Sequence, residues 1–507
     1  MKKFVSILGI SLLSGICYSQ QIQFSKKYNT GLPDSIFRGA EITGIFEIPH
    51  DGYFFPIGSY QFSTSEFDFI FNKVDSFGNI LWRKFYGMPG MEYKPLSLLG
   101  NPADSTFIVS GHVKDLFQNK YNAMLTKLNY FGDTLWLKIH TVAADTNSQI
   151  WSVIKTSDGG YACVGHCSDL SQSASSENIL LMKTDSSGNE LWHKQYGGGQ
   201  QDWAGGVVEL PDKGFLIAGF TESFGIGLKD GYLVRADSLG NQLWQKTWGN
   251  NNDDIFLSIK LSQDGKYIMG GGGNFPYFKY WIMKVDLGGN VIWDKRIFGK
   301  PNGGEFYKTK ELLDGSIVGT GGCLNVPGTL NQMGGAMKFS ANGDSIWAKV
   351  YSDTLDGHGP DFFYDFIQTS DGGFLFAGRE DPLSGHTGGW LVKTDSLGCF
   401  DTLFCNMLNH PIDSPTVVPI IKTPIEESFS IIPNPSNGDA IITYYIPGNS
   451  EKVNIYIYNI SGKLVKEFYD AKESANIHSG ELQPGIYFCK IISGEKINKI
   501  LKMVIIR

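Results

Sequence analysis

The residues best placed to do chemistry in this sequence are basic ones that recur at strand-like spacing. Lys73, Lys127, Lys183, Arg235, Lys284, Lys338 and Lys393 share one sequence context, and Lys84, Lys138, Lys194, Lys246, Lys295 and Lys349 share another. A ring of such cations could hold an anionic ligand. Equal residues in every copy fit a structural role better, because a site needs one special set rather than many equivalents. Period-two spacing puts Trp192 and Lys194 on one strand face, so the lysine stem can lie along an aromatic ring while its head reaches water. Acids form the second class: Asp34, Glu92, Asp145, Asp202, Asp253, Asp254, Glu305, Asp356 and Asp361 fall on connections between repeats. Oxygen-rich loops can bind Ca²⁺, although such acids also cap turns or stay solvated. His358 between Asp356 and Asp361 could do acid–base work, but the glycine-rich loop "YSDTLDGHGPDFFYD" defines no dyad. There is no HExxH, G-x-S-x-G elbow or Walker loop. Nor is there a unique tryptophan cluster for a quinone-type cofactor. "GGGGN" (270–274) lacks the strand–helix context of a phosphate loop and reads as a close-packed turn. No residue here is thereby marked as catalytic, and no metal site or cofactor is expected.

The elements that carry these residues are repeats. The phrase D-S-x-G-N-x-L-W-x-K appears as "DSFGNILWRK" (75–84), "NYFGDTLWLK" (129–138), "DSSGNELWHK" (185–194), "DSLGNQLWQK" (237–246), "DLGGNVIWDK" (286–295), "SANGDSIWAK" (340–349) and, truncated, "DSLGCF" (395–400). Its glycines are spaced by 54, 56, 52, 49, 54 and 55 residues. A second phrase, D-G-G-F-x-x-x-G, interleaves with it from Asp51, Asp104, Asp158, Asp212, Asp264, Asp314 and Asp371, its last glycine allowing close backbone approach. Each unit reads as four short strands, for example "GGVVEL", "FLIAGFT", "GYLVRAD" and "QLWQKTW" in the fourth. Four strands per unit of about 50 residues, with no helical periodicity, predict a seven-bladed β-propeller. The period is too long for WD repeats, and Trp293-Asp294 is a chance dipeptide.

The seventh unit stops before its fourth strand. Phe24, Lys26 and Tyr28 supply the missing word: Phe24 in the slot of the six internal tryptophans, Lys26 in that of the recurring lysine, and Tyr28 in that of Tyr86, Tyr196, Trp248 and Tyr351. The first mature strand is thus expected to close the ring against residues near 360–400, leaving no unpaired edge. Before it, Lys2 and Lys3, the apolar run 4–16 and the small-residue context at Ser19 read as a secretory signal over 1–19. That run is too short to span a bilayer comfortably, and no later one is longer. The net charge of −8 and the absence of a basic stripe exclude nucleic acid as an expected partner.

Cys163 and Cys167 lie too far apart along one strand to bond each other. Cys399 and Cys405, where the seventh unit stops, are expected to form a disulfide that pins the end of the propeller (20–405). A Pro-rich stretch, 406–426, reads as an extended linker. Residues 427–507 read as a small β-sandwich. Here "IIPNPSNG", "YNISGKLV" and "LQPGIYFCKI" resemble the C-terminal sorting domain of the type IX secretion system. Pro433, Asn434, Pro435, Gly438, Gly462, Gly485 and Tyr487 sit where that family's motifs place them. The resemblance implies export, recognition by the translocon, removal of the tail by a sortase-type peptidase, and a cargo that is surface-attached or released. The propeller resembles secreted bacterial repeat proteins with a "DGGF…VKxDSxGNxLWxK" unit, which implies no particular chemistry. The expected function is a monomeric binding or adhesion module for an extracellular glycan or protein. The alternative is a propeller hydrolase or lyase acting on polysaccharide, which would bring acids, His or Arg together from non-equivalent positions at the channel mouth.

Overall fold

The word D-S-x-G-N makes a tight turn. In the first copy the Asp75 carboxylate accepts hydrogen bonds from the backbone N–H groups of Phe77 (2.9 Å) and Asn79 (2.7 Å). Gly78 there takes φ +75°, left-handed backbone that glycine enters without steric cost. The computed structural model describes residues 23–28, 40–49, 51–59, 69–88, 90–142, 146–169, 176–274, 278–297, 304–324, 332–352, 361–380, 387–400, 416–419, 428–432, 440–445, 453–471, 474–478, 480–493 and 497–505. The expected signal, Asp34, Asp145, Asp356, His358, Cys405, Pro433, Asn434, Pro435 and Gly438 lie outside the described residues.

With such turns, seven sheets form, each built on four strands that run antiparallel to their neighbours. Blade two, taken outward from a central channel, is Met91–Asn101, Thr106–Asp115, Lys120–Asn129 and Thr134–His140. Blades three to six repeat the order between 146 and 196, 202 and 248, 254 and 297, and 304 and 352. Blade one runs through Gly52–Ser59, Phe69–Val74 and Ile80–Tyr86, and its inner strand is split into Ala40–Ile42 and Phe46–Ile48. The molecule is a seven-bladed propeller.

Blade seven takes Phe362–Gln368, Phe374–Glu380 and Gly388–Thr394 from late in the chain and Phe24–Tyr28 from its start. Phe24 stands opposite Lys393 and Tyr28 opposite Gly389. The closing strand also packs on blade one: Tyr28 meets Phe55 edge-on at 5.0 Å, and its hydroxyl donates to the Gly78 carbonyl at 2.7 Å. Each buried aromatic of this kind contributes about 1.5–3 kcal/mol. The N-terminal strand closes the ring.

The apolar cores lie between blades. Ile179, Leu181 and Tyr196 of blade three pack against Phe215, Ile217 and Val234 of blade four. The outer-strand words complete the same interfaces. Trp82, Trp136, Trp192, Trp244, Trp293 and Trp347 each lie over the turn glycine of the following blade. The hydroxyls of Tyr86, Tyr196 and Tyr351 donate to the carbonyls of Gly132, Gly240 and Gly398 there.

Two readings change. Gly270–Gly273 are not a turn but lie within the second strand of blade five, Tyr267–Asn274. A Cβ there would strike Thr309 or Glu305 of blade six, the Ile255 carbonyl, or Asp254, so glycine lets the next inner strand approach. Of the stretch expected as linker, residues 416–419 are described, and they pair in parallel with Lys349–Ser352 as a fifth strand on blade six.

A second compact unit starts at Ile421. Its sheets comprise Ser428–Ile432, Ala440–Tyr445 and Ser474–Ile477, and Val453–Asn459, Leu464–Ala471, Gly485–Ser493 and Ile497–Ile505. Both sheets contribute to one core that includes Ile442, Ile457, Ile477, Cys489 and Met503. Gly462, at φ +77°, closes a turn in which Asn459 accepts from Ser461 and Lys463, and the Tyr487 hydroxyl donates to the Gln483 carbonyl at 2.7 Å.

Candidate functional site

The repeated cations are structural. All seven on the third strands reach the aspartate of the D-G-G word in their own blade. Lys183 Nζ is 2.8 Å from Asp158, whose carboxyl this bond helps to hold at about 2. The heads thus pair with carboxylate, rather than simply reaching water. On the outer strands, Lys84 and Lys295 pair with Asp133 and Asp344 of the next blade, and Lys26 donates to Asn79. Two of the acids expected on connections cap turns: Asp202 is buried and accepts from the Gly198 N–H and the Ser223 hydroxyl, and Asp254 accepts from the Asn250 N–H. Asp254 is buried beside Arg296, at 2.8 Å, and desolvation raises its carboxyl. Among the described residues, no group of three or more His, Cys, Asp or Glu is arranged to hold a metal. Cys163 and Cys167 are free thiols, each pushed up to about 12, with burial the largest cause; neither is a ready nucleophile. Cys399 is disulfide-bonded.

The copies differ around the channel. In blades two to seven the inner strand slips by one residue against its neighbour, between Pro95 and Ser97, Ile150 and Ser152, Ala204 and Gly206, Phe256 and Ser258, Phe306 and Lys308, and Phe363 and Asp365. Such a bulge bends the strand and re-aims the extra side chain. The last glycine of the D-G-G-F-x-x-x-G word makes it possible. A Cβ on Gly165 would lie 1.9 Å from the Gln149 carbonyl oxygen, and Gly111, Gly219, Gly271, Gly321 and Gly378 are equally confined. In blade one the break between its two inner strands takes the bulge's place. The extra residues are Leu96, Trp151, Gly205, Leu257, Tyr307 and Tyr364, and with Thr43 all of them line one central cavity of about 370 Å³.

One wall of this cavity is aromatic. Trp151 and Trp203 lie 6.1 Å apart with a 29° interplanar angle, and His166 stacks on Trp203 at 4.3 Å. Trp151 Nε1 donates to His166 Nδ1 at 3.2 Å, and Trp203 Nε1 donates to Glu177. Burial holds the His166 imidazole down at about 3, so it is neutral and acts as a fixed acceptor. His112, opposite Lys94 on the adjacent strand, is likewise lowered to about 3 by burial and then by neighbouring cations. Across the cavity, Tyr307 meets Tyr364 edge-on at 5.2 Å. Lys94 pairs with buried Glu41 at 3.0 Å, while burial raises Glu305 against the opposing effect of its hydrogen bond with Tyr307. Aromatic and apolar side chains with a few fixed polar groups line the cavity, the usual make-up of a small-ligand site. Sequence reasoning missed these bulge residues; the glycine that permits each bulge was their one visible trace.

Residues 430–507 match the family of secretion system C-terminal sorting domains. That domain marks the chain for the secretion machinery and for export to the cell surface or beyond. No curated protein matches the chain. Among solved structures, the chain is similar to an extracellular domain assigned to a hybrid two-component system from B. thetaiotaomicron, at 10% identity and TM-score 0.43, covering 95% of this chain and 57% of that one. It is similar to PorZ, a surface component of the type-IX secretion system of Porphyromonas gingivalis, at 9% identity and TM-score 0.30, covering 92% and 81%. A protein of unknown function from Dyadobacter fermentans is similar at 11% identity and TM-score 0.39, covering 74% and 98%.

Proposed function

We propose that the exported propeller is a monomeric binding or adhesion module whose central cavity receives an extracellular glycan. The observation that carries this reading is the set of unlike bulge residues, with the aromatic side chains of Trp151, Trp203, Tyr307 and Tyr364 among those that line the cavity. A cavity of about 370 Å³ favours a glycan or chain end over a folded protein, which would have to insert a single loop. The translocon and a sortase-type peptidase are the proposed delivery partners, acting through Pro433, Asn434, Pro435, Gly438, Gly462, Gly485 and Tyr487. A Cys399–Cys405 disulfide is proposed to pin the propeller's end. The test is a glycan array read with the mature protein and with Trp203→Ala. Retained wild-type signals that vanish in the variant support the reading; identical array profiles would overturn it. Glu305, raised by burial in the same cavity as Glu41, favours a second reading as a glycoside hydrolase. Turnover of any polysaccharide in a substrate panel, lost in Glu305→Gln, would establish that reading instead.

A further inference from the structure

Three lysines break the pattern of the inner strands. The residue just after the bulge is Ser97, Ser152, Gly206 and Ser258 in blades two to five, but Lys308 in blade six and Asp365 in blade seven. Two residues further on, blades two, three, four and seven place Leu99, Ile154, Val208 and Ile367, whereas blades five and six place Lys260 and Lys310. The repeat itself therefore does not require these charges.

Their compensation is incomplete. Lys310 Nζ lies 3.1 Å from Asp365, which also accepts from the backbone N–H groups of Ile45 (3.3 Å) and Phe366 (2.9 Å). Among the described residues, Lys260 and Lys308 make no ion pair, and Asp365 is the carboxylate that acts on both. Burial, then the charges of Lys308 and Lys310, pushes Lys260 down to about 8. Other cations of the cavity are better matched: Lys94 has Glu41, and Lys229 lies 3.9 Å from Glu222 and over the Phe220 ring. Unmatched charge among low-dielectric walls is costly, and an anion brought into the cavity relieves that cost. Lys308 itself lines the cavity, together with the tryptophans.

We infer that the cavity takes an acidic saccharide, with its sugar ring beside Trp151 and Trp203 and a carboxylate directed to Lys308. This rests on the glycan-binding reading above and adds the charge of the ligand. The experiment titrates the mature protein calorimetrically with oligomers of galacturonate, glucuronate and mannuronate, each beside its neutral methyl ester. At least one acid oligomer is expected to bind about tenfold more tightly than its ester, a preference that shrinks as salt rises. Lys308→Gln is expected to abolish the preference by weakening binding of the acid more than binding of the ester. The variant relieves repulsion among the lysines, so its melting temperature should equal or exceed that of the wild type, which checks that it folds. Equal binding of acid and ester, or a preference that survives Lys308→Gln, overturns the acidic ligand and leaves glycan binding standing. No binding by any member of the panel overturns the acidic ligand, and the glycan array then decides the glycan-binding reading.

Discussion

Glycine shapes both the outer turns and the inner bulges of this ring, yet the residues it positions differ in kind. At the turns, Gly78, Gly132, Gly188, Gly240, Gly289, Gly343 and Gly398 each receive an aromatic ring from the preceding blade, Phe24 in the first case and tryptophan in the rest. At the bulges, glycine serves Leu, Trp, Gly, Leu, Tyr and Tyr in turn. The first set is a contact made around the whole circumference, and changing it should cost stability. The second set has no common contact to make, and changing it should alter what the cavity holds. Repetition marks the scaffold, and departure from repetition marks the site.

The largest effect should come from removing residues 21–28, which deletes a strand and opens the interface between blades one and seven. The melting temperature of the whole propeller should fall further than in any point variant; an unchanged melt would mean that closure is unimportant. Next, Gly165→Ala would place a methyl group 1.9 Å from a carbonyl oxygen. A loss of about 2–4 kcal/mol in chemical denaturation is expected, together with a shift in Trp151 fluorescence as its bulge is undone.

Acidification probes the inner side. His112 and His166 have folded pKa values near 3, below the ordinary value of 6.5, so between these limits the unfolded chain binds more protons. Their contribution is fully present above about pH 6.5 and is lost as pH falls towards 3. His166→Gln, which keeps an acceptor for Trp151, should flatten the fall in melting temperature between pH 6.5 and 4. A profile as steep as that of the wild type would count against the buried neutral imidazole.

Smaller still is Tyr196→Phe, which leaves the Gly240 carbonyl without its 2.7 Å donor and should cost about 1 kcal/mol in urea unfolding. Asp158→Asn should change least, below about 1 kcal/mol, because the Asp158 side chain is 57% exposed. If it proved more damaging than Tyr196→Phe, the ion pair rather than the turn contact would be the larger contributor.

The scaffold is legible in the sequence because each blade repeats the same local chemistry. Asp75 and Gly78 announce a turn by themselves, and the lone word around Phe24 finds its place by matching six internal copies. The cavity is harder to read. A one-residue slip in register leaves no change in composition, so Trp151 and Tyr307 look like ordinary strand residues. In the sequence Glu305 reads as an acid on a connection, yet it lies within the inner strand Gly304–Glu311 and lines the cavity. Asp202 reads the same way and is a buried cap. Lys308 and Lys310 are indistinguishable from surface lysines until the neighbouring strands fix which residue stands opposite which.

The seventh blade joins chain segments very far apart: Trp390 Nε1 donates to Ser25 Oγ across 365 residues of sequence. A linear array of repeats frays from its ends, because terminal units have one neighbour instead of two. Here there is no terminal unit, so no blade is privileged to open first and the ring should unfold in one concerted step. The same join makes assembly slow. Every blade but one can form from consecutive residues, whereas the last must recover a strand made hundreds of residues earlier, at a large loop-closure cost. Until that strand docks, blade seven exposes the edge of Gly388–Thr394, and the nascent molecule is most exposed to mispairing during that interval.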